Sequence, residues 1–386
     1  LPSPSLPSYW ASLFLTRRRK PSSIRYKYRM GLLRFILALS VVTAHCGGIL
    51  GRFNFIGGEL AVQVFFMISG YYMSMVLENK YELSIKGYKL FLSNRLLRLY
   101  PVYWVVLLLT LVGFIFYNPI FFIEFSDLSI WSILYLIFTN FFLFFQDIVM
   151  FLGIRPEDGN LYFMTNFQLS TPPLFHFLLV PQGWSLGIEL LFYVLAPFII
   201  KLRTNRILLI IIFSILVRII LHALFHLNND PWTYRFFPNE ILFFLLGILS
   251  HRKSKTILEV VKINPLFLQF ALIIIIVFYF DLPDYTIDLL PFSTNSILLF
   301  FTIYFSIPIL FNYYRQVKLD RYIGELSFPI YISHMFVFYI VKAIGVGNFI
   351  SEIVIIGTIM FSVLLVQFIS NPVEKFRQKR VQLKSN

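Results

Sequence analysis

Long apolar runs alternate with short polar clusters along almost the whole chain. Ten of these runs are candidates for membrane-spanning helices, and most of them are 16 to 20 residues long. A helix needs about 20 residues to cross a hydrocarbon layer ~30 Å thick. The ten runs are 32–50, 60–77, 99–117, 185–200, 207–226, 238–250, 265–280, 297–313, 327–343 and 351–369. The pattern therefore predicts an all-α, polytopic integral membrane bundle of about ten transmembrane helices.

A further apolar run, 130–145, is ambiguous, and the distribution of Lys and Arg decides its interpretation. Cytoplasmic loops of membrane proteins carry an excess of these residues. If both termini are cytoplasmic and 130–145 does not cross, twenty of the 33 Lys and Arg lie in inner loops and the tail, whereas only Arg52, Arg155 and Arg235 lie outside. We therefore expect 130–145 to be re-entrant or interfacial, within a large outer loop from about 118 to 184.

Composition agrees with a membrane protein. Apolar residues make up 58% of the chain and charged residues 13%, against about 45–50% and about 25% in soluble domains. The net charge of +14 would suit nucleic-acid binding, but the cations lie in clusters between apolar runs, so we expect no nucleic-acid partner. Cys46 is the single cysteine, which excludes an intramolecular disulfide.

Three regions follow from these patterns. Residues 1–29 differ in composition from the rest, and Met30 stands immediately before the first long apolar run, so we expect 1–29 to be a cytoplasmic segment upstream of the natural start. Residues 30–380 form the predicted membrane domain. Residues 381–386 form a cytoplasmic tail.

Ionisable side chains inside the spans are costly and are therefore functional candidates. They are His45, Glu59, Glu189, Arg218, His222, Glu240, His334 and Lys342, with Arg34 at the inner mouth of the first span. Arg34 and His45 are eleven residues apart, so they share one face of a helix and are separated by about 16 Å along its axis. His45 could accept a proton near neutral pH. A packing histidine beside an Arg at the inner membrane face explains the same spacing.

Arg95 and Arg98 have i, i+3 spacing at the cytoplasmic edge of the third span, so their guanidinium groups could clamp a bidentate anion such as phosphate. A simple excess of positive charge on the inner side explains them equally well. Glu189 is expected about one turn below the outer interface. His222 and His226 have i, i+4 spacing, but no motif supplies further ligands, and we expect no metal.

Six stretches, taken together in their order, resemble the acyltransferase 3 family of integral membrane acyltransferases. The stretches are Arg34 with ten residues before His45; Gly57-Gly58 leading to Phe65-Phe66-Met67-Ile68-Ser69-Gly70; Asn94-Arg95-Leu96-Leu97-Arg98-Leu99-Tyr100-Pro101-Val102-Tyr103; Trp184-Ser185-Leu186-Gly187-Ile188-Glu189 with Phe192-Tyr193; Tyr331-Ile332-Ser333-His334; and Asn371-Pro372-Val373-Glu374-Lys375-Phe376. The resemblance covers nearly all of 30–380.

The resemblance implies ten spans, a cytoplasmic acyl-coenzyme A donor, most often acetyl-coenzyme A, and an acceptor hydroxyl on a glycan or a lipid-linked sugar. It also implies the inner membrane of a bacterium and the modification of lipopolysaccharide, exopolysaccharide or another cell-envelope glycan. Because the chain ends shortly after the last span, it looks like a stand-alone member without a fused esterase-like domain. Membrane lipids are expected partners, and the oligomeric state is left open.

These features give a mechanistic hypothesis. Arg95, Arg98 and Arg34 are expected to hold the donor's phosphates, and His45 is expected to act as general base or to carry the acyl group. Arg34 and Glu189 are placed with His45 in the catalytic set, and Ser69, Trp184 and His334 in the substrate-binding set. Glu189 and His334 are candidates either to position the acceptor or to orient the His45 imidazole.

Two non-enzymatic alternatives use the same intramembrane charges. The first is a transporter or flippase for a glycan or lipid intermediate, against which the lack of an internal repeat in the sequence argues mildly. The second is a sensor or scaffold in which the polar residues only hold helices together.

Overall fold

A computed structural model describes residues 30–81, 84–118, 120–286, 291–347 and 349–382. The predicted segment 1–29 and the last residues of the predicted tail lie outside the described residues. In chain order, the α-helices are α1 (Gly31–Cys46), α2 (Gly57–Asn79), α3 (Ile85–Tyr117), α4 (Ile120–Glu124), α5 (Ile130–Phe142), α6 (Trp184–Ile199), α7 (Thr204–Ala223), α8 (Phe237–Arg252), α9 (Ser254–Val260), α10 (Pro265–Val277), α11 (Thr294–Tyr313), α12 (Lys318–Ala343), α13 (Ile350–Leu365) and α14 (Asn371–Gln382).

The long loop between α5 and α6 carries the strands. They are β1 (Leu152–Ile154) and β2 (Leu161–Phe163), which pair antiparallel as a short hairpin. Short 3₁₀ turns occupy much of the remaining loop, at Asp147–Phe151, Phe167–Leu169, Leu174–Phe177 and Pro181–Gly183. A π-helical turn, Val366–Ser370, joins α13 to α14.

The prediction of a helical membrane protein is confirmed, and each of the ten predicted runs coincides with a helix. In the described part of the chain, seven helical stretches are long and apolar enough to cross a bilayer, and these contain α2, α3, α6, α7, α11, α12 and α13. Helices α9 and α10 form a further candidate, bent by 103°. Helix α1, with 16 residues, is apolar but shorter. The number of ten spans stays a prediction.

The ambiguous run forms α5, whose 13 residues extend about 20 Å. The loop that follows brings the chain back to the start of this helix. The Ser129 backbone N–H and the Ser132 hydroxyl both donate hydrogen bonds to the Gly159 carbonyl, at 3.0 and 2.8 Å. Because 129 and 159 meet, the segment between them makes no net crossing, which supports the expectation of a re-entrant or interfacial run.

Helices α1, α2, α8 and α12 pack tightly at the centre of the bundle. Glycines allow this close approach, as small residues do in membrane helices. A Cβ at Gly31 of α1 would lie 1.6 Å from the Asp320 carbonyl oxygen on α12, and one at Gly70 of α2 would lie 2.0 Å from the Phe244 carbonyl oxygen on α8. Backbone atoms block both positions, so neither site accepts a larger residue without moving a helix.

Two of the intramembrane charges neutralise each other. Arg218 on α7 donates to Glu240 on α8 at 2.7 Å, and the two side chains are 3% and 0% exposed. Gln63 also donates to Glu240, and the Arg218 guanidinium lies over the Phe292 ring at 4.7 Å. A buried, paired and hydrogen-bonded couple of this kind holds helices together, so a structural role accounts for both residues.

Candidate active site

Two histidines meet at the end of the central helices that the sequence predicts to face outward. His45 lies in the last turn of α1 and His334 lies on α12, and the distance from His334 Nε2 to His45 Nδ1 is 3.3 Å. His334 is fully buried, whereas His45 lines an open cavity. The two residues are 289 positions apart in sequence, so the tight packing of α1 against α12 is what brings them together.

Backbone carbonyls fix the orientation of both rings. The Val41 carbonyl lies 2.8 Å from His45 Nδ1, and the Tyr331 carbonyl lies 2.7 Å from His334 Nδ1. A carbonyl oxygen can only accept, so in the neutral rings each Nδ1 carries the hydrogen. His334 Nε2 therefore presents its lone pair to the same His45 Nδ1–H, which is shared between the Val41 carbonyl and, at the longer distance, His334, and His45 keeps the lone pair on Nε2. This is the arrangement of a base whose other nitrogen is held in place.

A large cavity of about 620 Å³ opens on the His45 side. We call it the outer cavity. Its wall comes from the ends of α3 and α12 and from the long outer loop. The polar side chains that line it are His45, Asn118, Glu124, Gln168, His176, Gln182, Asp230 and Arg235. Aromatic and apolar residues complete the wall, including Trp184, Phe114 and Tyr339.

A rigid charged pair forms one side of this outer cavity. Arg235 donates to both oxygens of Asp230, at 2.6 and 2.9 Å, and its guanidinium stacks over the Trp184 ring at 4.4 Å. Tyr234 donates to Asp230 at 2.8 Å and accepts from Arg235 at 2.7 Å. Burial raises the pKa of Tyr234, so its hydroxyl stays protonated and remains a donor. The fixed ions and the aromatic ring form a preorganised polar surface.

A smaller pocket of about 80 Å³ lies between the same helices, toward the side that the sequence predicts to be cytoplasmic. Arg34, Ser69, Arg98 and Glu189 all line it. The Ser69 hydroxyl donates to Glu189 Oε1 at 2.7 Å, and the Tyr193 hydroxyl donates to the same oxygen. Two cations and one carboxylate thus face one small space.

A second small pocket of about 70 Å³ adjoins the first at Arg34, Arg98 and Phe328. The wall of this second pocket includes the start of α14, where Arg377 pairs with Glu374. Because the two pockets share the same arginines, they form one inner site, and Arg34 and Arg98 lie where the two pockets join.

A layer of hydrogen bonds separates the inner site from the outer cavity. The Ser185 and Tyr331 hydroxyls lie 2.6 Å apart, and the Tyr331 hydroxyl donates to the Gln182 carbonyl at 3.0 Å. The Gln182 amide donates to the Ile332 carbonyl at 2.6 Å. Ser185 and Tyr331 line the inner site, and Gln182 lines the outer cavity. We call these three residues the partition.

The structure divides the predicted site residues into two groups. Arg34, Arg98, Ser69 and Glu189 share the inner site, and His45, His334 and Trp184 lie together at the outer cavity. Arg95 does not line either cavity. It is buried beside Phe91 and Tyr193, with its guanidinium 5.7 and 6.0 Å from their ring centroids. Residues three apart are rotated by about 60°, which turns Arg95 away from Arg98.

The expected position of Glu189 is corrected. The sequence placed it near the outer interface, opposite Arg98, but both residues line the same inner pocket. The Ser185 hydroxyl, one turn before Glu189 on α6, lies 2.6 Å from the Tyr331 hydroxyl on α12. The 3₁₀ turn Pro181–Gly183 directly precedes α6.

Several residues of the site were not predicted. Tyr331 stood in a quoted motif, but no role was assigned to it. Arg235 is one of only three outer cations in the predicted topology, and that rarity was an available signal. Gln182 and Asp230 lie in irregular loops, where no periodic pattern marks them. Among the described residues, no three His, Cys, Asp or Glu side chains converge as metal ligands would.

Comparisons with known proteins agree with this picture. Residues 27–370, most of the chain, match a family profile described as "Acyltransferase domain". An uncharacterized protein of Aquifex aeolicus (strain VF5) is 28% identical over 221 residues, which cover 54% of this chain and 92% of that protein. No solved structure matches the chain.

Proposed function

The chain belongs to the acyltransferase 3 family of membrane acyltransferases, and from this premise we propose that it moves an acyl group from cytoplasmic acyl-coenzyme A to a hydroxyl of a cell-surface or lipid-linked glycan. The observation that carries the proposal is the position of His45. It is held by His334 at the bottom of a large outer cavity, directly above an inner site that contains two arginines. The inner membrane of a bacterium is the proposed location.

The inner site suits the donor. Arg34 and Arg98 stand where the two inner pockets meet, and guanidinium groups are the preferred partners of phosphate. If the phosphates of coenzyme A bind at this junction, the pantetheine arm is free to extend toward His45. Arg34 and His45 are about 16 Å apart along α1, a distance that an extended arm can cover. Arg95 supports the site from behind, through its packing against Tyr193.

The proposed chemistry needs one base. The acceptor hydroxyl gives its proton to His45 Nε2 while its oxygen attacks the thioester carbonyl, and the C–S bond then breaks to leave an ester and the coenzyme A thiolate. The proton passes from His45 to that thiolate. His334 stabilises the imidazolium form by accepting from Nδ1–H. The thioester reaches His45 by parting Ser185 from Tyr331.

The sizes of the two cavities support the assignment of the substrates. The inner pocket through which the thioester would pass on its way to His45 has a volume of about 80 Å³, against about 620 Å³ for the outer cavity. A short acyl group such as acetyl suits the smaller passage. Sugar rings suit the larger one, where fixed hydrogen-bonding groups surround an aromatic surface.

The test is transfer by purified protein in detergent, with radiolabelled acetyl-coenzyme A and an envelope-glycan extract. We expect wild type to release coenzyme A and label the glycan, and His45→Ala to lose both activities by ~10²–10⁴-fold. His176→Ala is the matched control, because His176 lines the same cavity without taking part in the proposed chemistry. Normal transfer by a well-folded His45→Ala protein would show that the mechanism is wrong.

A further inference from the structure

A second cavity at the outer end of the bundle has no role in the chemistry described so far. It is a groove of about 300 Å³ between α3 and α12. Helix α3 contributes Gly113, Phe114 and Tyr117, and helix α12 contributes Phe336 and Tyr339. Its walls are mostly apolar, so it suits a hydrocarbon chain better than a sugar. We call it the lateral groove.

The lateral groove connects the lipid-facing surface with the outer cavity. Phe114, Asn118 and Tyr339 line both spaces, so the two are contiguous. On α3, Val112 and Ile115 flank the groove and are 49% and 54% exposed. Exposed aliphatic side chains on a membrane helix face lipid tails. A molecule could therefore keep its chain in the bilayer while its head group lies in the outer cavity.

A single cation stands at the edge of the groove. Lys342 lines it, is exposed, and has its Nζ 4.9 Å from the Phe338 ring centroid. Among the described residues, no Asp or Glu oxygen forms a salt bridge with it. Lys342 is eight residues beyond His334, which corresponds to about 12 Å along α12. An anionic group at Lys342 would thus lie a short distance from the base.

We propose that the lateral groove holds the hydrocarbon chain of a lipid-linked acceptor, with the phosphate between chain and sugar at Lys342 and the reacting sugar at His45. This inference rests on the proposed function and narrows it, because it selects a lipid-linked sugar phosphate over a free glycan. The 12 Å separation further places the acylated hydroxyl within the first sugars that follow the phosphate.

Binding can be tested without any transfer reaction. Purified wild-type protein would be irradiated with a polyisoprenyl phosphate that carries a diazirine in its chain, and the labelled peptides would be identified by mass spectrometry. We expect labels on the outer half of α3 and on α12 around Tyr339, and competition by an unlabelled isoprenyl-phosphate sugar but not by phosphatidylglycerol. Equal competition by phosphatidylglycerol would show that the groove holds ordinary membrane lipid and would overturn the proposal.

Blocking the groove gives a second test. An added Cβ at Gly113 meets no atom within 4 Å, so Gly113→Phe can fill the groove without a backbone clash. We expect it to abolish the groove label and to raise the KM for a lipid-linked acceptor about tenfold, the loss expected when roughly two methylene groups lose their contacts. Val112→Phe places the same aromatic ring toward lipid and is the control. Identical behaviour of the two variants would contradict the proposal.

Variants of Lys342 and a change of acceptor give the remaining tests. Lys342→Gln should raise the same KM roughly fivefold, and Lys342→Arg should restore it. Wild type should prefer the sugar linked to an isoprenyl phosphate over the same sugar linked to a methyl phosphate. Equal use of both acceptors would overturn the proposed role of the lateral groove. If no acceptor is acylated but the label still maps to the groove, the proposed function fails and the binding site stands.

Discussion

The contact between His334 and His45 leads to the sharpest prediction. His334→Phe keeps a flat ring on α12 but removes the Nε2 lone pair that faces His45 Nδ1–H at 3.3 Å. His334→Gln keeps an acceptor, since its side-chain oxygen can reach the position of Nε2. A positioning role for His334 predicts that the two variants differ. A role in packing alone predicts that they are equally impaired.

The magnitude follows from the protonation of His45 during transfer. In the resting state its Nδ1–H is already held by Val41 at 2.8 Å, so the longer bond to His334 contributes little. Once His45 has taken the proton, that bond joins a charged donor, and such bonds contribute about 1.5–3 kcal/mol. We therefore expect His334→Phe to lower kcat about 10- to 150-fold, and His334→Gln to recover most of this loss.

The assay is steady-state transfer with each substrate varied in turn, on protein whose melting temperature and elution volume match wild type. The bond strengthens only as charge develops, so kcat should fall while the KM values for donor and acceptor stay within about twofold. Equal loss in both variants, or a loss confined to KM, would refute the positioning role. Full activity of His334→Phe would refute it as well.

Two further predictions address the inner site and the buried ion pair. Arg98→Ala should raise the KM for acyl-coenzyme A at least about tenfold, with the acceptor KM unchanged, because a charged hydrogen bond to phosphate is lost. Arg206→Ala is the control, because Arg206 is exposed and lies on the predicted cytoplasmic side. An equal effect of the two variants would contradict the phosphate clamp. Glu240→Leu should destabilise the protein by ~3–5 kcal/mol, because Arg218 would be left buried without its carboxylate, and Arg218→Leu in the same chain should restore much of the melting temperature in detergent. A double variant less stable than Glu240→Leu would argue against this account.

The sequence was sufficient for the helices and for much of the site. Hydrophobic runs identified every long helix, because lipid leaves the backbone few alternatives to helix formation. The distribution of Lys and Arg led to the expectation that 130–145 is re-entrant or interfacial and does not cross, which the contact between Ser129 and Gly159 supports. Arg34 and His45 lie on one helix, α1, and that helix sets their separation of about 16 Å.

The sequence could not show which distant segments contact each other. His334 was given two alternative roles, positioning the acceptor or orienting the His45 imidazole, and nothing in a linear pattern shows that α12 packs its ring against His45 from 289 residues away. Glu189 was placed on the opposite side from Arg98, because hydropathy cannot show that the two side chains reach the same pocket. The ion pair of Asp230 and Arg235 lies in an irregular loop, whose conformation depends on contacts with other segments.

The partition has a consequence for the energy supply of the cell. If the inner site and the outer cavity open to opposite sides of the membrane, as the charge distribution predicts, an open path between them would be a leak for protons and other ions. Tyr331, Ser185 and Gln182 close this path with hydrogen bonds to one another and to the Gln182 and Ile332 carbonyls. A thioester that parts them would fill the same gap that it opens. The substrate itself would then be the plug that preserves the membrane potential during each turnover.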